Sequence, residues 1–208
     1  MPPQRIVTLG GASPVRLIAA DQLPEVIRSS RINEFPDPGQ LEAGDFLLFQ
    51  STVSRVVPNA IERFQLLQGH SPEHARWYHA GIYAGGFLVC DAQRSGGVKL
   101  RSLISFTQGH NWRILRLKPG LGSPVAVLNE AKRYMGKSYA YWKIPFAMLG
   151  IALPDQARQG AICSTLCADA LFESAGEAFT EKPVALPADI SASGLLDEVQ
   201  VDVVGRLR

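Results

Sequence analysis

Three side chains in this sequence could together activate a thiol: Cys163, His79 and Asp91. Cys163 opens the segment 163–174, which has helical spacing and is followed by Gly176, a residue typical of a helix end. The residues on one face of this predicted helix are Cys163, Leu166, Cys167 and Ala170. In the first turn of a helix, unpaired N–H groups and the positive end of the dipole lower the pKa of a thiol. Cys163 is therefore the predicted nucleophile.

The histidine and the carboxylate lie in a predicted β-hairpin. Two runs rich in aromatic and branched residues flank a glycine-containing turn at 84–86. We expect Tyr83 to pair with Phe87 across this three-residue turn. In that register His79 stands directly opposite Asp91, with the two Cβ atoms about 4.5–5.5 Å apart, so the carboxylate can orient the imidazole and stabilise its charged form. A shift of one residue would move Asp91 to the other face of the sheet.

Each of these residues also has a simpler interpretation. Cys163 could be a small buried core residue, as Cys90 and Cys167 are predicted to be, and the histidine and aspartate could be solvated groups beside a turn. No metal site is predicted, because the chain has neither a Cys-x-x-Cys pair nor a His-Glu-x-x-His element. The other histidines are assigned to solvated loops: His70, His74 and His110.

The surrounding sequence predicts elements that would position these residues. A loop at 31–44 leads to an apolar run at 45–50 that is typical of a buried strand. The other predicted strands are 5–9 at an edge, 77–83, 87–92, 98–100, 113–117 and a late strand through Val199, Val201 and Val203. Helices are predicted at 59–67, after Pro58, and from Ser123 as cap to Gly136, with Val127, Leu128, Ala131 and Met135 on one face. This order favours an α+β domain with an antiparallel sheet over a parallel wound one.

Composition and charge exclude several classes of function. The 208 residues are 46% hydrophobic, enough for one core, and we expect a single domain over 1–208 in which 1–40 form an extension or edge elements. The net charge of +2 comes without a basic run, so nucleic acid is not a predicted partner. The longest apolar stretch, Ile144 to Leu153, is interrupted by proline and glycine and is too short to span a bilayer.

The amino terminus and the cysteines predict where the protein is made. The first residues lack a basic start followed by an apolar stretch, so we expect synthesis in the cytoplasm without a secretory signal. Three cysteines in a chain of this kind do not form a disulfide framework and are expected to be thiols.

Four segments occur in an order that resembles a known family. They are Leu41 to Phe49 with a Gly-Asp pair, Trp77 to Tyr83, Val89 to Ala92 with Gly96-Gly97-Val98, and Cys163 to Cys167. This order is similar to that of the circularly permuted branch of the NlpC/P60 papain-like superfamily, in which a Gly-Asp strand, a histidine strand and an acidic or polar strand precede the cysteine helix. Two further segments match elements of similar proteins: Gly136-Lys137-Ser138-Tyr139 and Pro187-Ala188-Asp189. The likeness covers roughly residues 40 to 195.

The resemblance implies a fold and a set of roles. The fold would be papain-like, with an antiparallel sheet packed against the cysteine-bearing helix, and Cys163 would be the nucleophile, His79 the base and Asp91 the orienting group. Asp91 stands where glutamate is frequent, which shortens the reach by one methylene. Ser164-Thr165 stands where many relatives have Ser-Glu, which leaves the surroundings of the thiolate less acidic.

The chemistry implied by these roles is acyl transfer. The thiolate would attack a carbonyl, and the oxyanion would be met by the backbone N–H of Cys163. Three side chains are candidates for binding the oxyanion or the substrate: Tyr139, Tyr78 and Ser164. Neither a cofactor nor a metal is predicted.

The resemblance implies first a thiol-dependent amidase or peptidase acting on peptidoglycan stem peptides. Without a secretory signal, such an enzyme would need a specialised secretion system, as an effector toxin delivered to the periplasm of another cell, with an immunity protein as a further partner. The alternative is a lipid acyltransferase or thioesterase that uses the same three residues. The apolar segment Tyr141 to Leu153 could then hold an acyl chain or touch a membrane, although a buried helix is the simpler expectation. A third alternative is a binding module that has lost its chemistry, which the intact trio argues against.

Overall fold

The computed structural model describes residues 6–7, 15–18, 34–52, 56–107, 110–140 and 160–206. The predicted apolar segment Tyr141 to Leu153 lies outside these residues. The elements in chain order are β1 (Ile6–Val7), β2 (Val15–Ile18), β3 (Glu34–Pro36), β4 (Phe46–Ser51), α1 (Val56–Leu67), α2 (Pro72–Ala75), β5 (His79–Gly85), β6 (Leu88–Gln93), β7 (Gly97–Ser102), α3 (Leu103–Thr107), β8 (His110–Leu117), α4 (Pro124–Lys132), α5 (Cys163–Ala175), α6 (Pro187–Ala192), β9 (Leu196–Glu198) and β10 (Val203–Arg206).

The strands form two sheets. A six-stranded sheet in the order β7-β6-β5-β4-β8-β9 is antiparallel throughout. A four-stranded sheet in the order β1-β2-β10-β3 has β1 at one edge, within the predicted edge strand, and pairs β10 parallel with β2. The mixed order of strands and helices with an antiparallel main sheet confirms the predicted α+β class.

Strand alternation gives the six-stranded sheet two buried faces. On one face, Phe46, Ile82 and Cys90 belong to a core shared with α4 and with the helix α5 that carries Cys163. On the other face, Phe49 and Val89 belong to a second core closed by α3. The elements α4 and α5 also pack against each other, so the cysteine helix is held by both a sheet and a neighbouring helix.

The Gly-Asp pair before β4 has a structural role. Gly44 has φ +103°, and a Cβ at this position would lie 2.1 Å from the carbonyl oxygen of Pro124 at the start of α4. Only glycine permits both that backbone conformation and that approach. Asp45 is fully buried and accepts two bonds from the guanidinium of Arg116 on β8, at 2.7 and 2.8 Å. The pair therefore fixes β4 to α4 and β8.

Several predicted boundaries differ from the structure. Helix α1 begins at Val56, so Pro58 lies in its first turn, where proline costs no intrahelical bond. The predicted helix 123–136 ends at Lys132, and the chain continues in turns through Gly136. Met135 is consequently 45% exposed, although it was predicted on the buried face. Ser123 is the N-cap residue but its side chain makes no capping bond.

Two predictions about strands were also wrong. Of the three valines of the predicted late strand only Val203 lies in a strand, β10, whereas Val199 and Val201 lie in the link between β9, which ends at Glu198 in the main sheet, and β10 in the other sheet. The predicted loop 31–44 contains β3, which pairs antiparallel with β10. An alternating apolar pattern does not distinguish one continuous strand from two strands that belong to different sheets and are joined by a short link.

One buried amide connects three parts of the chain. Gln65 on α1 is fully buried and donates to the carbonyl oxygens of Ala75 and Trp77, at 2.7 and 2.8 Å. Its Oε1 accepts the N–H of Ala188 on α6 at 2.8 Å. The side chain thus holds α1, the segment before β5 and α6 in one arrangement.

Replacing Gln65 with leucine is expected to lower the free energy of unfolding by about 3 kcal/mol, because it leaves buried backbone groups without partners. Urea unfolding measures this difference. Gln68→Leu is the matched control: Gln68 lies one turn along and is exposed, so its replacement should change stability by less than about 0.5 kcal/mol. Equal effects of the two substitutions would show that the amide bonds do not stabilise the fold.

Candidate active site

Cys163 is the first residue of α5 and is buried. The start of this helix is fixed by Thr165, whose Oγ1 accepts the N–H of Ile162 at 3.1 Å. The Cys163 sulfur is hydrogen-bonded by His79 and by the backbone N–H groups of Ala80 and Ser164. Burial alone would raise the pKa of this thiol, but the charge on His79 and these hydrogen bonds lower it. The site therefore stabilises a thiolate.

His79, the first residue of β5, meets Cys163 at the end of the strand. Burial would lower the pKa of His79, but the charge on Cys163 and the hydrogen bonds to Asp91 and Cys163 raise it to about 10. The His79 ring stacks on the ring of Phe106, with the ring centroids 5.5 Å apart and an interplanar angle of 12°. The ring of Phe49 lies beside it, with its centroid 6.1 Å from that of His79. The aromatic rings keep water from the imidazole on these sides. The lowered pKa of Cys163 and the raised pKa of His79 both favour the thiolate–imidazolium form of the pair.

Asp91 contacts His79, but not through the predicted register. His79 Nε2 donates to Asp91 Oδ2 at 3.0 Å, which leaves Nδ1 to face the thiol. In the structure Ile82 pairs with Cys90, which differs from the register that would place His79 opposite Asp91. The residue opposite Asp91 is instead Gly81. A Cβ on Gly81 would lie 2.7 Å from Val89 and 3.3 Å from the Asp91 Cβ, so glycine leaves this face open. His79 reaches the carboxylate diagonally across it.

The predicted three-residue turn was wrong. The tip is the two-residue turn Gly86-Phe87, in which both residues have positive φ, 57° and 65°. The register then shifts between Tyr83 and Gly85, as at a β-bulge. A two-residue turn by itself would have placed Asp91 on the wrong face, and the extra residue in the bulge returns it to the face of His79.

A fourth charged residue of this site was not predicted. Arg101 on β7 donates from Nη1 to Asp91 Oδ1 and from Nη2 to the carbonyl oxygens of Ser95 and Gly97, at 3.0 and 3.1 Å. The signal was present in the spacing. Because β7 pairs Lys99 with Asp91, a residue two positions later shares the same face of the sheet.

The three candidates for binding the oxyanion or substrate line one cavity with Cys163 and His79. This cavity of about 660 Å³ is bordered by Tyr78, Tyr139 and Ser164. Tyr139 is placed by a bridge to Ala161, two residues before the cysteine. The structure therefore brings all the predicted site residues together.

His110 was assigned to a solvated loop, and this was wrong. It is the first residue of β8 and lines the cavity. Its Nε2 forms a hydrogen bond of 2.8 Å with the hydroxyl of Tyr78. His70 and His74 are not solvated either. His70 lies 3.3 Å from Asp189, and His74 is bonded to Ser191 at 2.9 Å, so both connect α2 and its preceding turn to α6.

The rest of the cavity wall is largely apolar. Helix α1 contributes half of the apolar residues of this wall: Val56, Val57, Ala60, Ile61 and Phe64. Other apolar lining residues are Ala92, Phe106, Ile162, Leu186 and Pro187, and the polar side is formed by Gln93, Arg94, Ser95 and Ser105. The role of α1 as a cavity wall was not predicted, since a short amphipathic helix gives no signal of which surface it covers.

The other two cysteines differ from Cys163. Cys90 and Cys167 are fully buried in the main core, as predicted. Burial raises the pKa of Cys90 to about 11 and raises that of Cys167 as well. Cys163 is the one thiol of the three that the site stabilises as an anion.

Two further properties concern the described residues alone. Over 6–7, 15–18, 34–52, 56–107, 110–140 and 160–206, no three or more His, Cys, Asp or Glu side chains are grouped as a metal site would need. Within the same ranges, no helix has the length and apolar character needed to cross a bilayer.

No family model matches the sequence, and no curated protein matches it.

Proposed function

We propose that this protein is a cysteine hydrolase or transferase in which Cys163 takes up an acyl group. The observation that carries the proposal is that Cys163 and His79 meet at the wall of a cavity of about 660 Å³, with the buried Asp91 bonded to His79 at 3.0 Å. A thiol with a lowered pKa beside a raised histidine, itself bonded to a buried carboxylate, is the arrangement that activates a nucleophile. A buried cysteine with only a packing role needs no such partners.

The reaction follows from the positions of these groups. The Cys163 sulfur attacks a carbonyl carbon and forms a C–S bond, and the electron pair of the carbonyl moves to oxygen. His79 then gives its Nδ1 proton to the leaving group as the bond to it breaks. Water or another acceptor attacks the thioester, passes its proton to His79 and releases the acyl group with the thiolate restored.

The oxyanion lies, in this proposal, near the start of α5. The N–H of Cys163 has no acceptor within the helix, because the N–H groups of the first turn of a helix have no preceding carbonyl to bind. It can therefore donate to an oxyanion. Tyr139 and Tyr78, which line the same cavity, are the side-chain candidates for a second donor.

The family assignment remains part of the proposal. A papain-like fold of the circularly permuted NlpC/P60 type is supported by the main antiparallel sheet packed on the cysteine helix and by the chain order of the three residues. The Gly-x-x-Tyr and Pro-x-Asp segments support it further, because Tyr139 and Pro187 both border the cavity.

The cavity wall favours an apolar acyl group as the substrate. The side formed by α1 carries aliphatic and aromatic residues and would place an acyl chain beside the thiolate. The lipid acyltransferase or thioesterase alternative therefore gains support. A peptidoglycan stem peptide, with its carboxylates, is the second candidate, and Arg94 on the polar side of the cavity is the observation that favours it. Delivery to another cell's periplasm, and an immunity protein, belong to that second candidate.

A chain-length series of p-nitrophenyl acyl esters tests the proposal. With the apolar substrate class, kcat/KM should rise about fourfold for each added methylene until the cavity is full, as burial of about 0.8 kcal/mol per methylene predicts. Cys163→Ser should abolish turnover, and intact mass should show one acyl group on the protein and none on this variant. Cys167→Ser is the control that keeps both signals.

Purified stem-peptide fragments form the second arm of the experiment. Cleavage of these fragments that needs Cys163, without turnover of long-chain esters, would support the amidase instead. Neither turnover nor acylation of Cys163 with both substrate classes would contradict the proposed function.

A further inference from the structure

The guanidinium of Arg101 occupies a position that the proposed reaction does not by itself explain. Its Nη1 donates to both the carboxylate and the carbonyl oxygen of Asp91, and its Nη2 donates to the carbonyls of Ser95 and Gly97. The side chain is only 16% exposed, and Asp91 is fully buried. An arginine placed in this way joins the carboxylate of the site to the turn between β6 and β7.

The two oxygens of Asp91 have separate partners. Oδ2 accepts from His79 at 3.0 Å, and Oδ1 accepts from Arg101. The carboxylate therefore has a fixed rotation, since turning it would break one bond or the other. Because a buried charge is costly without partners, the arginine also offsets the cost of burying the Asp91 carboxylate.

The charges of the four residues balance. With Cys163 and Asp91 negative and His79 and Arg101 positive, the buried cluster is neutral. Without the arginine, the same cluster would carry one negative charge, which favours proton uptake by the thiolate.

We propose that Arg101 is a positioning residue that holds the Asp91 carboxylate toward His79 and fixes the adjoining turn, 94–96, at the cavity wall. This inference rests on the proposed function, which it deepens. Arg94 and Ser95 of that turn line the cavity, so one side chain sets both the orientation of the imidazole and the position of the polar wall.

Other titratable groups around the pair do not supply this charge. Cys90 and Cys167 are neutral thiols with raised pKa values. Lys132 on α4 acts on Cys90 from the opposite face of the sheet, and Lys99, paired across from Asp91 on β7, is exposed. Among the residues that the structure describes, His79 and Arg101 form the ion pairs with Asp91, and Arg101 is the one outside the thiol pair.

The pH dependence of Cys163 alkylation by iodoacetamide tests this inference. Arg101→Gln should raise the apparent pKa of the thiol by about one unit. Arg101→Lys keeps the positive charge but loses the second nitrogen that binds the turn. The thiol pKa of this variant should therefore stay close to that of the unaltered protein, while its turnover is reduced. If the role of Arg101 were purely structural, the thiol pKa and the turnover would change together in the two variants.

Arg116→Gln provides a matched control. Arg116 likewise binds a fully buried aspartate, Asp45, through Nε and Nη2, but it lies on β8 and away from Cys163. Its replacement should weaken the fold to a similar degree and leave the pH profile of alkylation unchanged. A profile that shifts equally in Arg116→Gln and Arg101→Gln would overturn the inference.

A double variant covers the case in which Arg101→Gln does not fold. In Asp91→Asn the carboxylate that Arg101 holds is gone, so adding Arg101→Gln should shift the apparent pKa of the thiol by well under one unit. An additional shift of about one unit or more in the double variant would overturn the inference. Because alkylation needs no substrate, this result stands apart from the ester and stem-peptide assays: a failed proposed function removes turnover, whereas a failed inference leaves the thiol pKa independent of Arg101.

Discussion

Replacing His79 with alanine is expected to slow the alkylation of Cys163 at pH 6.5 by up to about 100-fold. In the intact site the charge on His79 and the hydrogen bonds to the sulfur lower the pKa of Cys163, which favours the thiolate. Without the imidazolium, burial is opposed only by the two backbone hydrogen bonds, and the pKa of the thiol returns to about the ordinary value of 8.5 or above. The thiolate fraction at pH 6.5 is then about one in a hundred.

Peptide mapping after a short pulse of iodoacetamide measures this rate at each cysteine. Cys90 and Cys167 serve as internal references, since they are buried with raised pKa values and should stay unlabelled in the folded protein. His74→Ala is the matched histidine control, because His74 contacts Ser191 rather than the thiol. Equal labelling rates for Cys163 in His79→Ala and in the unaltered protein would mean that the two residues are not coupled.

The same pair is expected to give the free energy of unfolding a plateau between about pH 6.5 and 8.5, with a decrease on both sides. The unfolded chain has a histidine pKa near 6.5 and a cysteine pKa near 8.5. In the folded protein the pKa of His79 is raised to about 10, so its contribution decreases as the pH rises from 6.5 to 10. The pKa of Cys163 is lowered, so its contribution decreases as the pH falls below 8.5.

Between the two unfolded values these slopes cancel, because folded and unfolded states each hold one proton on the pair. Below pH 6.5 the unfolded chain binds one proton more than the folded protein, and above pH 8.5 it binds one fewer. The expected slopes on either side reach about 1.4 kcal/mol per pH unit. Urea unfolding from pH 5 to 10, taken as the difference between the unaltered protein and His79→Gln, isolates this contribution. A difference that is constant over the whole range would contradict the charged pair.

Much of the site could be predicted because its parts are local. The helix from Cys163 to Gly176 and the strand after Gly44 both have apolar spacing with clear ends, and both form as expected. The contact between His79 and Asp91 was predicted from a register that the structure does not have. The contact is present because the tighter turn and the β-bulge together shift the strand register by an even number of residues. Side chains alternate between the two faces of a sheet, so an even shift leaves His79 and Asp91 on the same face.

The parts that were missed depend on contacts distant in sequence or on rare backbone conformations. Phe87 has positive φ, which a non-glycine residue seldom adopts, so a two-residue turn was not expected there. His110 looked like a loop residue because its local sequence is polar, yet β8 carries it to the cavity. Arg101 needed the third strand of the meander in its correct register before its contact with Asp91 could be inferred.

The meander of β5, β6 and β7 has a consequence for how the protein acquires its chemistry. His79, Asp91 and Arg101 lie on consecutive strands joined by short turns, whereas Cys163 comes from a helix far along the chain. Contacts between near neighbours close small loops and form readily, while distant contacts close large ones and form more slowly. His79 and the residues that support it can therefore assemble before Cys163 arrives. Reactivity of the thiol is then a property that only the completed fold confers, and a nascent or partly folded chain carries a cysteine of ordinary reactivity.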